Sequence, residues 1–281
     1  MAVPPLEALV AAGFEIALVI SRPDKRRGRG AELSASPVKA AAERLGLPVS
    51  HQVADAVDVG AELGVVVAFG QLIKPPILEQ LPMVNLHFSL LPRWRGAAPV
   101  ERAILAGDPV TGVCLMRLDV GLDTGDVLDR IEVPVGAHET MDELRRALVD
   151  VGSVQLVENL RRGLGEGVPQ MGEPTYAAKL EPAEFEIDWH RPAAEIDRLV
   201  RLGLAFTMFR GKRLKVLAAS VADRSGAAGT FVDPLTVACW QDALALDRVQ
   251  PEGKPIMTAA AWANGAHPRP GEAIGSSVVQ S

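Results

Sequence analysis

The sequence predicts an α/β protein in which a doubly wound, parallel-sheet domain is followed by a smaller β-barrel domain. Three observations carry that expectation. The runs Gly64-Val-Val-Val-Ala-Phe-Gly70 and Met83-Val84 are short, continuously apolar and rich in β-branched residues, as strands covered on both faces are. Amphipathic segments that can form crossover helices alternate with such runs through the first 160 residues. Beyond residue 186 the pattern changes to closely spaced β-like runs separated by turn residues, which suits a small barrel. A chain of 281 residues has ample length for two cores.

Each element has a local reason. Pro4 to Ala12 starts as a helix with prolines in its first turn, and Glu15 to Ile20 reads as a strand. Val38 to Leu45 is an amphipathic helix stopped at Gly46, after which Leu47-Pro48-Val49 begins another strand. Pro99 to Ala106 is a helix ending near Gly107. Strands at Thr111 to Leu118 and Asp129 to Val133, then a long helix from Met141 to Leu160, complete the first unit. Arg161 to Lys179 is rich in glycine and proline and reads as a linker. Asp188 to Val200 is a helix, and Leu214 to Ala218, Gly229 to Val232, Leu235 to Ala238 and Ala243 to Val249 are the strands of the barrel. The Gly-, Pro- and Ser-containing tail from Ala266 is expected to be disordered.

Composition excludes several classes. Two cysteines, Cys114 and Cys239, are too few for a disulfide scaffold and read as small buried hydrophobes. The five histidines lack the close spacings of a metal site, so no metal is expected. No basic region followed by a long apolar run opens the chain, and no run of about 18 apolar residues occurs, so neither secretion nor a membrane span is predicted and the cytoplasm is the expected compartment. A formal net charge of −6 argues against a general nucleic-acid binder. Its distribution is more informative than its sum. Arg22, Lys25, Arg26, Arg27 and Arg29 crowd one glycine-punctuated segment opposed only by Asp24, and such a loop can track phosphates.

The chemistry concentrates in Asn85-Leu-His-Phe-Ser-Leu-Leu-Pro-Arg-Trp-Arg-Gly-Ala-Ala-Pro99 and Asp119-Val-Gly-Leu-Asp-Thr-Gly-Asp126. Asn85 and His87 fall where the second apolar strand ends, the position at which open α/β sheets hold ligands. Two residues apart in extended chain, they face the same way. A carboxamide N–H suits a developing oxyanion, and an imidazole near neutral pKa can polarise a carbonyl or move a proton. Neither is a nucleophile here. A carboxylate from the later loop, Asp123 or Asp126, can orient the imidazole. The set suits acyl transfer by direct attack of an amine, with no covalent enzyme intermediate.

These two segments closely resemble the signatures of the folate-dependent formyltransferases. The resemblance extends to Arg22-Pro-Asp-Lys-Arg-Arg-Gly-Arg-Gly30, Ser36-Pro-Val-Lys39, Ile187-Asp-Trp, Arg191 to Arg198, Gly211-Lys-Arg-Leu-Lys-Val216 and Val249 to Lys254. It implies a Rossmann-like catalytic domain over residues 1–168, a linker at 169–186, an OB-like tRNA-binding barrel over 187–265 and a tail at 266–281. It further implies that Asn85, His87 and Asp123 form the catalytic group, that Ser89, Leu90, Leu91 and Pro92 line the folate site, and that Arg26, Arg27, Arg29, Lys212 and Arg213 contact tRNA. The donor would be 10-formyltetrahydrofolate and the acceptor the α-amino group of methionine esterified to initiator tRNA, on a monomeric enzyme. Two other readings stay open: a relative that formylates an amino sugar nucleotide or hydrolyses formyltetrahydrofolate, and a non-catalytic binder of tRNA or folate. Four departures from the family pattern are expected to matter, one of them a shortened proline- and tryptophan-containing loop around Leu202 to Phe209. Met1-Ala-Val-Pro-Pro-Leu-Glu-Ala-Leu9 stands where family members have already passed a first strand and a glycine-containing loop, so that strand is expected to lie upstream of this start. Phe88 replaces a small residue, and Ala31 and Glu32 stand where the family loop has lysines.

Overall fold

A computed structural model describes residues 1–27 and 32–275. The chain divides into two compact units. One comprises Met1–Val100, Val110–Pro134 and Leu144–Ala178; the other comprises Glu101–Pro109, Val135–Glu143 and residues from Lys179 onward.

In the first unit, helix α1 (Val3–Ala11) leads to strand β1 (Val19–Ile20), and a hairpin of β2 (Lys25–Arg27) and β3 (Glu32–Ser34) follows. Helix α2 (Pro37–Arg44) starts with Ser36, whose hydroxyl accepts the Lys39 N–H, and with a proline at its first position, as good helix starts do. Strand β4 (Val49–Ser50) pairs with β1 in parallel. Short helix α3 (Asp55–Asp58), β5 (Gly64–Val67), short helix α4 (Pro75–Leu78) and β6 (Met83–His87) come next. Strand β5 pairs in parallel with β6, as the two apolar runs predict. After β7 (Arg95–Gly96) and helix α5 (Pro99–Ala106), the long strands β8 (Val110–Arg117) and β9 (Val127–Pro134) extend the same sheet in the order β5-β6-β8-β9. Both join it antiparallel, so the sheet is mixed rather than wholly parallel. For β9 the reason is connection length, since the turn from β8 is too short for a crossover helix; β8 reverses against β6 although helix α5 lies between them.

Helix α6 (Met141–Arg162) follows, burying Leu144, Leu148, Val149 and Leu156. The segment expected to be a free linker is instead bound along its length: Val168 bridges to Val127, and β10 (Tyr176–Ala177) pairs with β7.

The second unit begins with a 3-10 turn at Pro182–Phe185 and helix α7 (Ala193–Val200). Its sheet contains β11 (Phe206–Phe209), β12 (Lys212–Ala222), β13 (Phe231–Asp233), β14 (Thr236–Ala238) and β15 (Ala243–Pro251) in the order β11-β12-β15-β14-β13. A further strand, β16 (Met257–Thr258), pairs with β15, and helix α8 (Ala259–Ala266) follows. Register irregularities in the β12–β15 ladder curl this sheet. Its concave side holds Trp189, Phe209, Phe231 and Trp262, with Phe209 edge-on to both Phe231 and Trp262. The tail departs from the disorder expected of its composition. Ile274 is buried in this core, and the Ile274 and Phe231 N–H groups donate to the Gly229 and Glu272 carbonyls. One buried aliphatic side chain and backbone pairing are enough to hold a short polar segment. Residues 276–281 lie outside the described residues.

Candidate active site

Strand β6 is buried at all five positions. Asn85 and His87 are on it two residues apart, at 9% and 4% exposure, opposite Met116 and Cys114 of β8. Among the described residues the Asn85 carboxamide takes no hydrogen-bond partner, which leaves both of its N–H groups for a ligand. The His87 ring is held. Its Nε2 lies 2.8 Å from the Trp94 carbonyl oxygen, which can only accept, so the Nε2 proton is donated there and Nδ1 is left as the basic nitrogen. Nδ1 is 3.6 Å from Asp123 Oδ2, close enough for charge coupling and too far for a direct hydrogen bond. Burial pushes the His87 pKa below its ordinary value of 6.5; Asp123 and the Trp94 carbonyl oppose the shift without reversing it. His87 is therefore neutral at neutral pH, and a proton gained at Nδ1 would face a carboxylate.

Asp123 is set by backbone rather than by a side-chain partner. Its Oδ2 accepts the Gly96 N–H at 2.8 Å, and its own backbone is left-handed at φ 51°. Gly96 stands at φ 117°, and a Cβ there would lie 3.0 Å from the Ala177 carbonyl oxygen, so the close approach of β7 to β10 requires glycine. Trp94 is also left-handed, at φ 62°, a conformation that costs a bulky residue roughly 1–3 kcal/mol. It is pinned from both sides: its carbonyl receives the His87 proton, and its N–H donates to Thr175 Oγ1 at 2.9 Å.

Two residues that sequence reasoning missed complete the frame. Thr175 holds Trp94, as described. The Gln170 Oε1 accepts two bonds from the Arg95 guanidinium, while its Nε2 donates to the carbonyls of Asp123 and Gly125 at 2.9 and 2.8 Å. Gln170 thereby ties the loop bearing His87's ring partner to the loop bearing the carboxylate. Both lie in the segment read as a linker, where glycine and proline content masked them; the only available signal was polar residues of hydrogen-bonding type between the breakers.

Of the residues expected to line a folate site, Ser89 and Leu91 are fully buried. The Ser89 hydroxyl donates to the Arg93 carbonyl, closing the turn, and Leu91 packs with Cys114, Met116 and Val127. Leu90 and Pro92 remain partly exposed. Phe88 is buried too, and so is not an exposed obstacle. Asp126 does not join the imidazole; it sits by Gly167, whose Cβ would meet its side chain.

Of the basic residues, Arg26 and Arg27 belong to β2, paired with β3, and Arg29 lies outside the described residues. Asp24, the one acid among them in the sequence, is engaged by Lys39 Nζ through both oxygens at 2.9 and 2.8 Å. Lys212 and Arg213 follow the turn at Arg210 and Gly211, both with positive φ, as a two-residue hairpin requires. Both are exposed, and the Arg213 guanidinium lies 3.7 Å from the Phe206 ring centroid. Among the described residues, no group of three His, Cys, Asp or Glu could hold a metal, and no helix is long and apolar enough to cross a membrane.

Comparison with known proteins identifies the family. Residues 6–160 match the family described as Formyl transferase, and residues 179–267 match Formyl transferase, C-terminal domain. The chain is 46% identical to the methionyl-tRNA formyltransferase of Roseobacter denitrificans, over 94% of this chain and 92% of that protein. It is 45% identical to that of Dinoroseobacter shibae, over 92% of each. Among solved structures it resembles WlaRD, a sugar 3N-formyl transferase crystallised in the presence of dTDP and 5-N-formyl-THF. The TM-score is 0.66 at 18% identity, over 90% of this chain and 95% of that one. At that identity the likeness speaks to fold alone. By its matches along both units and its identity to these relatives, the chain belongs to the formyl transferase family, among the methionyl-tRNA formyltransferases.

Proposed function

We propose that this enzyme transfers the formyl group of 10-formyltetrahydrofolate to the α-amino group of methionyl initiator tRNA, with Asn85, His87 and Asp123 as its catalytic group. The observation that carries the reading is the Asn85 carboxamide, with no partner among the described residues, two residues from a neutral imidazole whose basic nitrogen faces Asp123. The neutral amine attacks the formyl carbon, forming a C–N bond and placing negative charge on the formyl oxygen. Asn85 donates to that oxygen. Nδ1 of His87 takes the proton shed by the amine, and Asp123 stabilises the resulting imidazolium. Return of that proton to N10 of the folate lets the original C–N bond break, releasing tetrahydrofolate and formylmethionyl-tRNA. No covalent enzyme intermediate and no metal enters the sequence.

The acceptor follows from the relatives, each named a methionyl-tRNA formyltransferase and matched along nearly its whole length. The exposed Lys212 and Arg213, and the strand β2 formed by Lys25, Arg26 and Arg27, with the adjacent Asp24 engaged by Lys39, supply charge of the right sign for a phosphate backbone. Folate is placed beside the partly exposed Leu90 and Pro92, with Ser89 and Leu91 holding that turn from within. The test is transfer of labelled formyl from 10-formyltetrahydrofolate to methionyl initiator tRNA. N-acetylated methionyl-tRNA, which lacks the amine, and an amino sugar nucleotide serve as competing acceptors. Label is expected on methionyl-tRNA alone; label on the sugar in its place would overturn the acceptor assignment.

A further inference from the structure

The loop that follows β6 is held by its carbonyl groups. The Leu90 carbonyl accepts the Arg93 N–H, the Pro92 carbonyl the Thr175 N–H, the Arg93 carbonyl the Ser89 hydroxyl and the Trp94 carbonyl the His87 ring proton. The fifth, that of Leu91, is taken by a residue outside both signature segments: Arg130 of β9, whose Nη2 donates to it at 2.6 Å. A bond of this kind from a guanidinium is roughly twice as strong as one between neutral groups. Register explains how a strand two places away reaches the loop. His87 pairs with Cys114 of β8 and Cys114 with Arg130 of β9, so the three side chains form one cross-strand row on one face of the sheet. The row spans two strand spacings, roughly 10 Å. Its two ends grip the loop, His87 at Trp94 and Arg130 at Leu91, and the fully buried Cys114 lies beneath, against Leu91. Arg130 is exposed and makes no ion pair among the described residues, so neither burial nor a salt bridge accounts for a cation here.

We propose that Arg130 is a positioning residue for the reaction: through the Leu91 carbonyl it holds the turn at 89–92 in the form that accepts folate. The inference rests on the reading that this turn lines the folate site. Without the guanidinium, the carbonyl of a fully buried residue is left without a partner, and the turn must shift to bring it to water. That shift lifts Leu91 off Cys114 and displaces Leu90 and Pro92, the two residues of the turn that are open to a ligand. A single N–H group makes the contact, so a lysine ammonium at the same place can replace it, which would not hold for a two-pronged guanidinium contact. Cys114 reports on the turn independently of catalysis. Burial pushes its thiol above the ordinary cysteine pKa, so it reacts slowly for as long as Leu91 covers it.

The test uses the full chain as parent, Arg130→Ala and Arg130→Lys. For each, tetrahydrofolate affinity is measured by calorimetry, KM and kcat with both substrates, Tm, and the rate at which a soluble disulfide reagent labels Cys114, followed by peptide mass so that Cys239 is scored apart. Arg130→Ala is expected to weaken tetrahydrofolate binding and raise the KM for 10-formyltetrahydrofolate on the order of tenfold or more, with a smaller loss in kcat and the KM for tRNA unmoved. It should also label Cys114 on the order of tenfold faster, and Arg130→Lys should recover most of both effects. Tetrahydrofolate should slow the labelling of Cys114 in the parent. An Arg130→Ala chain that keeps the parent's folate affinity and labelling rate would overturn the proposal. So would equal losses toward both substrates together with a lowered Tm, which mark general loosening. Should the parent bind no tetrahydrofolate, the folate reading itself falls, and the labelling rates then decide whether Arg130 holds the turn.

Discussion

At the scale of single residues, the site works by keeping a base neutral and a donor free. The Asn85 carboxamide has no hydrogen-bond partner among the described residues, so its N–H groups stand ready for charge that arrives only with the reaction. Asn85→Ala should therefore lower turnover on the order of 100- to 1,000-fold with folate and tRNA affinities unchanged. His87 gives a pH prediction. Its pKa is below 6.5 in the folded protein, so the acidic limb of kcat should fall below pH 6.5. Asp123→Asn removes the charge that opposes the shift; it should move that limb to still lower pH and cut kcat on the order of 100-fold or more. A limb that moves upward in Asp123→Asn would contradict the role assigned to the carboxylate. The same depression makes a stability statement. In the unfolded chain His87 takes up a proton near pH 6.5 and in the folded chain only at lower pH. Stability is therefore complete above that value and lost as pH falls below it. Thermal melts between pH 7.5 and 5.5 should show a smaller acid loss in His87→Asn than in the parent.

At the scale of elements, the site depends on a segment whose sequence conceals its role. The placing of Asn85 and His87 on one face of a strand end was legible because strand ends and residue chemistry are local facts, whereas Asp123 was separated from Asp126 only by the family resemblance, and the structure puts Asp123 beside the imidazole. Antiparallel entry of β8 and β9, the binding of 163–178 across the site loops, and the packing of 267–275 were not. The entry of β8 beside β6, the bound 163–178 segment and the packed tail rest on pairings between residues distant in sequence: Leu86 with Leu115, Tyr176 with Arg95, Val168 with Val127, and Ile274 with Gly229. Glycine and proline report the absence of regular structure and say nothing about what an irregular segment touches. Gln170 is a positioning residue in such a segment. Gln170→Ala should lower kcat on the order of 10- to 100-fold with little change in folate KM, because it frees the Asp123 and Gly125 carbonyls while leaving the ligand-facing groups intact. A pH profile with its acidic limb displaced in Gln170→Ala would separate lost positioning of Asp123 from general unfolding.

At the scale of the whole molecule, the two units have different physical requirements. The second has a dense aromatic core under a curled sheet, and Phe231→Ala should cost it about 3–5 kcal/mol, measured by denaturant unfolding. Its exposed hairpin has a separate role. The doubly substituted Lys212→Ala, Arg213→Ala chain should bind tRNA more weakly, with a salt slope reduced by roughly 2, and keep its folate affinity. A net charge of −6 is compatible with RNA binding because local runs of cations suffice for phosphate contact, Lys25, Arg26 and Arg27 forming β2 and Lys212 and Arg213 opening β12.

The most direct measurement is the single-turnover rate of formyl transfer from 10-formyltetrahydrofolate to methionyl initiator tRNA, at saturating concentrations of both, for the parent chain and for Asn85→Ala. The parent should label the methionyl α-amine, and the variant should do so on the order of 100- to 1,000-fold more slowly while binding both substrates equally well. Equal rates in the two proteins, or transfer by the parent to an acceptor other than the methionyl amine, would contradict the account.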